Sequence, residues 1–133
     1  MKAAYMLDTN TVSHLLKGQA GVTQRIVAVP MAALCISSMT EAELLFGLAK
    51  RPEAKRLHCA VHEFLRRVAV LAWDSSVAAC YGQVRAELEK EGKALSAMDL
   101  MIASHALATG AVLVTNDQAF SQVRGLNLED WTV

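Results

Sequence analysis

Short apolar runs closed by polar strings alternate along this chain with segments whose apolar residues recur at helical spacing. Ala4-Tyr5-Met6-Leu7 is the first run and Asp8-Thr9-Asn10-Thr11 closes it, after which Val12, Leu15 and Leu16 follow at i, i+3 and i+4. The pattern predicts a strand turning directly into a helix. Ala33 to Ile36 repeats the unit, with Ser37-Ser38 as the stop and Leu44, Leu45 and Leu48 marking the helix. Between Glu53 and Val68, the residues Leu57, Val61, Phe64, Leu65 and Val68 form one apolar stripe, and Lys55, Arg56, Glu63, Arg66 and Arg67 occupy the other face. Val68 to Trp73 is a further apolar run. Asp74 is a plain N-cap for a helix over Val77 to Glu91 that Gly92 ends. Ala97 to Thr109 predicts a helix stopped by Gly110, and Ala111 to Val114 a buried strand. Thr115-Asn116-Asp117, a short helix containing Phe120 and an edge strand within Leu126 to Trp131 complete the chain.

Strands alternating with helices predict a single α/β domain over residues 1–133, a three-layer α/β/α sandwich whose parallel sheet is covered on both faces. In such sheets ligands sit at the carboxyl ends of strands, where Asp8 and Asp117 fall. A composition 53% hydrophobic but only 5% aromatic makes the core aliphatic. Basic and acidic residues number 13 each, so any RNA binding must rest on a local patch rather than on net charge. Cys35, Cys59 and Cys80 lack a C-x-x-C pair and are expected to be buried reduced thiols. No stretch approaches the roughly 20 apolar residues of a membrane span, and the start is too short for a signal-peptide core. A cytoplasmic protein with no membrane partner is expected.

The acidic residues near predicted helix starts must first be weighed as caps. Ser38-Met39-Thr40-Glu41 matches a capping box, which makes Glu41 structural. Glu43 points about 200° away from Glu41 and is left without a capping role. Gly47, one turn on, leaves room there for another backbone or a ligand. Ser96-Ala97-Met98-Asp99 also resembles a capping box. A cap from Thr115 closed by Gln118 leaves Asp117 without a structural task, and Thr9, Asn10 and Thr11 cap as well as Asp8 or better. If the fold gathers Asp8, Glu43, Asp99 and Asp117, two carboxylates about 4 Å apart repel by about 4 kcal/mol at an effective dielectric near 20. A hard divalent cation reverses that sign, because Mg²⁺ prefers carboxylate oxygen and retained water.

Met6-Leu7-Asp8-Thr9-Asn10, Ile36-Ser37-Ser38-Met39-Thr40 with Glu43-Leu44 and Gly47, Asp99-Leu100-Met101-Ile102-Ala103, and Leu113-Val114-Thr115-Asn116-Asp117 with Phe120 together resemble the PIN-domain ribonucleases. More narrowly, the chain resembles the VapC-type toxins of bacterial toxin–antitoxin pairs, in order over essentially its whole length. The resemblance implies a catalytic quartet of Asp8, Glu43, Asp99 and Asp117. Asp8 and Asp99 would be the main metal ligands, with Asp117 and Glu43 acting mostly through waters, and Asn10 and Thr115 holding the carboxylates by hydrogen bonds. It implies hydrolysis of an RNA phosphodiester by water activated on Mg²⁺, for which Mn²⁺ can substitute, leaving a 5′-phosphate and a 3′-hydroxyl. Gly82 to Leu88, Ile102 to Ala106, and Gly125-Leu126 with Glu129-Asp130-Trp131 resemble the subgroup that cuts initiator tRNA in its anticodon stem-loop. A VapB-type antitoxin and a second copy of the chain are the implied protein partners.

Other features have ordinary explanations. His58 and His62 are four apart and could pinch a zinc ion, but two helix-surface imidazoles account for them. Lys50, Arg51, Lys55 and Arg56, and separately Arg85, Lys90 and Lys93, suit either phosphate contact or a solvated face, with Arg85 the first RNA-binding candidate. A haloacid-dehalogenase-type phosphotransferase needs a second Asp where Asn10 stands. A receiver-type switch needs a late lysine, and Lys93 is too early.

Overall fold

The computed structural model describes residues 4–133, so residues 1–3 of the expected leaderless start lie outside the description. Five strands, β1 (Tyr5–Leu7), β2 (Leu34–Ser37), β3 (Ala69–Leu71), β4 (Val112–Val114) and β5 (Leu128–Glu129), form an all-parallel sheet in the order β3-β2-β1-β4-β5. Six helices cover it: α1 (Thr9–Leu16), α2 (Ala20–Ala28), α3 (Ser38–Ala49), α4 (Lys55–Arg67), α5 (Ser75–Lys90) and α6 (Ala97–Thr109). None of them is long and apolar enough to cross a membrane.

Strand pleating divides the interior. Met6, Cys35 and Leu113 face a cluster built with Val84 and Leu88 of α5 and Leu100, Ile102, Ala103 and Ala106 of α6. Their neighbours Leu7, Leu34, Ile36 and Val114 face the opposite cluster, built with Val12, Val22, Leu44, Leu48 and Val61 of α1 to α4. The result is the expected three-layer α/β/α sandwich. Helix α6 is buried continuously from Ile102 to Ala106, because it lies between the sheet and α5. Its ends are those the sequence predicts: Ser96 Oγ accepts from Asp99 N, and Gly110, at φ 73°, supplies the left-handed C-cap.

The sequence pattern assigns no element to residues 17–32, yet α2 lies there. Val22 is its one buried residue, so it shows almost no apolar stripe, and tertiary contacts hold it instead. Gln19 Nε2 donates to Thr132 O at 2.9 Å, and a Cβ on Gly21 would sit 2.5 Å from Trp131 O. The terminal Trp131 is 1% exposed, with Tyr5 at a centroid distance of 5.2 Å and the Arg25 guanidinium 5.1 Å over its ring. The thiols also depart from expectation: Cys35 is buried, with its pKa pushed up to about 11 by burial, but Cys59 is exposed on α4.

Candidate active site

The chain runs from β1 outward to β2 and β3, then returns to β4 on β1's other side, so the sheet's switch point lies between β1 and β4. In open parallel sheets ligands bind beyond the carboxyl ends of the strands at this point. Asp8 follows β1 directly and is only 4% exposed. Its N–H donates to Val114 O at 3.1 Å, and Thr11 Oγ1 donates to the same carbonyl at 2.9 Å, which fixes the turn against β4. Contrary to the sequence expectation, Asp8 itself caps α1, with Oδ1 accepting from Thr11 N at 2.8 Å. The strand ends so abruptly at Leu7 that Thr9 to Thr11 are already helical. Asp117 has a cap role as well: its Oδ1 accepts from Ala119 N at 2.9 Å at the start of a 3-10 turn over Gln118–Gln122, while Thr115 Oγ1 accepts from Asp117 N at 3.0 Å. Capping explains neither charge, because Asn caps as well as Asp.

The other two acids arrive from opposite layers. Asp99 sits half-buried in the first turn of α6, where Ser96 performs the capping. Glu43 lies on α3, and its Oε1 accepts from Thr9 Oγ1 at 2.6 Å. The expected capping box from Ser38 to Glu41 does not form. Ser37 is the cap, accepting from Met39 N at 3.0 Å, and Ser38 Oγ instead accepts from Trp73 N beside β3. Gly47 faces open space, and with Glu43, Thr9, Ser13, Leu16, Lys17, Leu44, Leu48, Leu57 and Val61 it lines a groove between α1, α3 and α4.

Burial pushes the Asp8 carboxyl above the ordinary range, Thr115 and Thr11 draw it back by hydrogen bonding, and the Asp117 charge raises it further. Asp99 is raised by burial, lowered by Ser96, and raised again by the charges of Asp117 and Asp8. The structure therefore brings Asp8, Asp99 and Asp117 within one another's fields. Glu43 stands to one side, at the mouth of the groove. Among the described residues no lysine or arginine forms an ion pair with any of the four. Asn10 is exposed and hydrogen-bonds to none of them, and Arg85 points along α5 to Glu89 and Tyr81.

Also among the described residues, no three His, Cys, Asp or Glu side chains close into a shell able to hold a metal ion unaided. Hard oxygen donors that repel one another, only partly converged, fit instead a hydrated Mg²⁺ or Mn²⁺ held by one or two carboxylates and completed by water. Sequence reasoning missed two supports of this site. Thr9 was visible only as a cap, and the hydrogen bond between buried His105 Nδ1 and Ser37 Oγ, at 2.8 Å, joins residues 68 apart.

A pH test follows for the chelated protein. Asp8 has a folded pKa above its unfolded 3.8, so the folded state binds more protons, and stability falls as pH rises from 3.8 through the raised value. Asp8→Asn retains the cap and removes the charge. In EDTA its thermal midpoint is expected to exceed the wild type's at pH 7, with the margin shrinking towards pH 4. A wild-type midpoint equal or higher at pH 7 would show that the charge carries no strain.

The PIN domain family matches residues 5–126 of the chain. A protein of Shigella flexneri named tRNA(fMet)-specific endonuclease VapC is 36% identical over 129 residues, covering 96% of this chain and 98% of its own. The crystal structure of DNA-bound VapBC from Salmonella typhimurium contains a chain 37% identical, superposing with a TM-score of 0.90 over 97% of this chain and 98% of that one. VapBC2 from Rickettsia felis, bound to a promoter DNA fragment, gives 32% identity and a TM-score of 0.88 over 96% and 98%. Sequence motifs, sheet order and these relatives agree, and the chain belongs to the VapC branch of the PIN-domain family.

Proposed function

We propose that the chain is a divalent-cation-dependent endoribonuclease, the toxin of a toxin–antitoxin pair, acting on tRNA and specifically on initiator tRNA. The observation that carries the reading is the trio Asp8, Asp99 and Asp117, three carboxylates in mutual repulsion at the sheet's switch point with no basic partner among the described residues. Such an arrangement costs folding stability, and a bound divalent cation offsets that cost. The tRNA assignment is supported by the name of the Shigella flexneri relative and by the shared VapC framework.

Asp8 and Asp99 would hold Mg²⁺ directly, with Asp117 and Glu43 contributing through water. The bound ion supplies a lowered pKa for a coordinated water and charge neutralisation at the phosphodiester. Asp8 is held by Thr11, Thr115 and the β1–β4 pairing, so its carboxylate has a fixed direction. Thr115 orients the turn carrying Asp117. Glu43, with Oε1 engaged by Thr9, keeps Oε2 available to position a water at the mouth of the groove. Hydrolysis would break the P–O3′ bond, leaving a 3′-hydroxyl and a 5′-phosphate.

The partner is proposed to be a VapB-type antitoxin, as in the Salmonella typhimurium and Rickettsia felis complexes. The groove lined by Leu16, Leu44, Leu48, Leu57 and Val61 suits the apolar face of a partner helix and ends at Glu43, so an occupant would obstruct the site.

The test is brief expression followed by sequencing of the new RNA ends, with purified protein assayed in Mg²⁺ and in EDTA. A single cut in initiator tRNA, carrying a 5′-phosphate and absent in EDTA, is expected. Cuts scattered over many RNAs would remove the tRNA assignment, and no cutting would remove the nuclease.

A further inference from the structure

The acidic site repels phosphate, so an RNA substrate must be gripped by positive charge located elsewhere, and a chain of zero net charge must concentrate that charge to provide it. Six cations are consumed by internal pairs: Arg25 with Glu129, Arg66 and Arg67 with Glu63, Arg85 with Glu89, and Lys93 and Arg124 with Glu91. Among the described residues the cations outside any ion pair are Lys17, Lys50, Arg51, Lys55, Arg56 and Lys90. Lys90 stands apart at the end of α5. The other five lie around the α3–α4 turn and the groove that begins at Glu43.

Lys17 lines that groove with Glu43, Leu57 and Val61. Lys50 caps the end of α3, Arg51 follows, and Lys55 and Arg56 open α4, all four exposed. Residues 50–67 hold six cations against Glu53 and Glu63, and Glu63 is already engaged by two arginines. A solvated helix face does not account for this placement. Lys55 and Arg56 occupy the first turn of α4, which has no acidic residue and no side-chain cap, where the helix dipole disfavours positive charge. An ordinary surface helix places acids there. Positive charge kept at a cost to the helix and unpaired, on the α3–α4 turn whose Leu48 and Leu57 line the same groove as Glu43 and Lys17, matches a polyanion that reaches the acidic site.

We propose that Lys50, Arg51, Lys55 and Arg56, with Lys17 at the groove, form a track for the sugar–phosphate backbone of the structured RNA substrate, beyond the scissile bond. This rests on the ribonuclease reading. It relocates RNA contact from Arg85, which is committed to Glu89 and Tyr81.

The experiment measures binding of a 17-nucleotide RNA hairpin by fluorescence anisotropy in 50–200 mM salt, using Asp99→Asn protein so that the RNA stays intact. Neutralising Lys50, Arg51, Lys55 and Arg56 together to Gln is expected to weaken binding at least about tenfold at 100 mM salt. The slope of log K against log salt should flatten by about 3 to 4, roughly 0.7 to 0.9 for each of the four phosphates no longer neutralised. Lys55→Gln alone should flatten it by about 1, which keeps the test available if the fourfold variant folds poorly. Lys90→Gln should leave affinity and slope unchanged. If wild-type protein cleaves the RNA but the Gln variants bind with unaltered slope, the track is wrong and the ribonuclease reading stands. If the Gln variants lose only affinity for an acidic peptide, the surface recognises protein and the proposal fails. If wild-type protein neither cleaves nor binds RNA, both readings fall.

Discussion

Asp99→Asn is expected to lower kcat/KM for RNA cleavage by about a thousandfold while leaving the protein folded. The substitution preserves shape and the backbone N–H that Ser96 caps, and removes one negative charge from the trio. A cation that contributes several kcal/mol at a phosphodiester transition state is lost or misplaced with its ligand, and about 4 kcal/mol corresponds to a thousandfold in rate. The matched measurement is the thermal midpoint, expected to be equal to or above the wild type's because like-charge repulsion is relieved. Cleavage within tenfold of wild type would move the chemistry elsewhere. A collapsed midpoint would make Asp99 structural.

Trp131→Ala is expected to cost about 3–5 kcal/mol of stability, lowering the midpoint by roughly 10–20 °C in a chain of this size. Trp131 is the largest fully buried side chain, and it joins Tyr5 of β1, Arg25 of α2 and, through Nε1, Glu129 of β5. Its removal opens a cavity and loosens α2, whose own apolar face is too small to hold it. Trp131→Phe, which refills most of the volume, should recover the larger part. Equal losses for Ala and Phe would assign the effect to the indole N–H and not to packing.

How much of this was legible in the sequence varies by element for physical reasons. The boundaries of α6 were readable because Ser96 and Gly110 are local signals. The strands were readable because all-buried runs such as Leu34-Cys35-Ile36 have few other uses. Helix α2 was not, since its order comes from the C-terminal residues more than 100 positions away. The identity of the acids was legible, but their arrangement was not. Asp8 and Asp117 feel each other only because β4 pairs with β1, a fact of strand order. The capping assignments failed at Asp8, Asp117 and Ser38 because which side chain caps depends on where the strand stops to within one residue. Glu43 was separable from Glu41 by angle alone, yet its bond to Thr9 required α1 and α3 to meet. A sequence likewise shows cations but not which of them are paired, as Arg85 is with Glu89 and Tyr81.

The proposal that Asp8 and Asp99 hold a divalent cation at the switch point of the sheet is open to a test that makes no recourse to activity. Electron paramagnetic resonance of Mn²⁺ titrated into the RNA-free protein supplies it. The wild type is expected to show a bound Mn²⁺ population that Mg²⁺ displaces, with an affinity that falls at least about tenfold in both Asp8→Asn and Asp99→Asn. Undiminished Mn²⁺ binding by the two variants would contradict it.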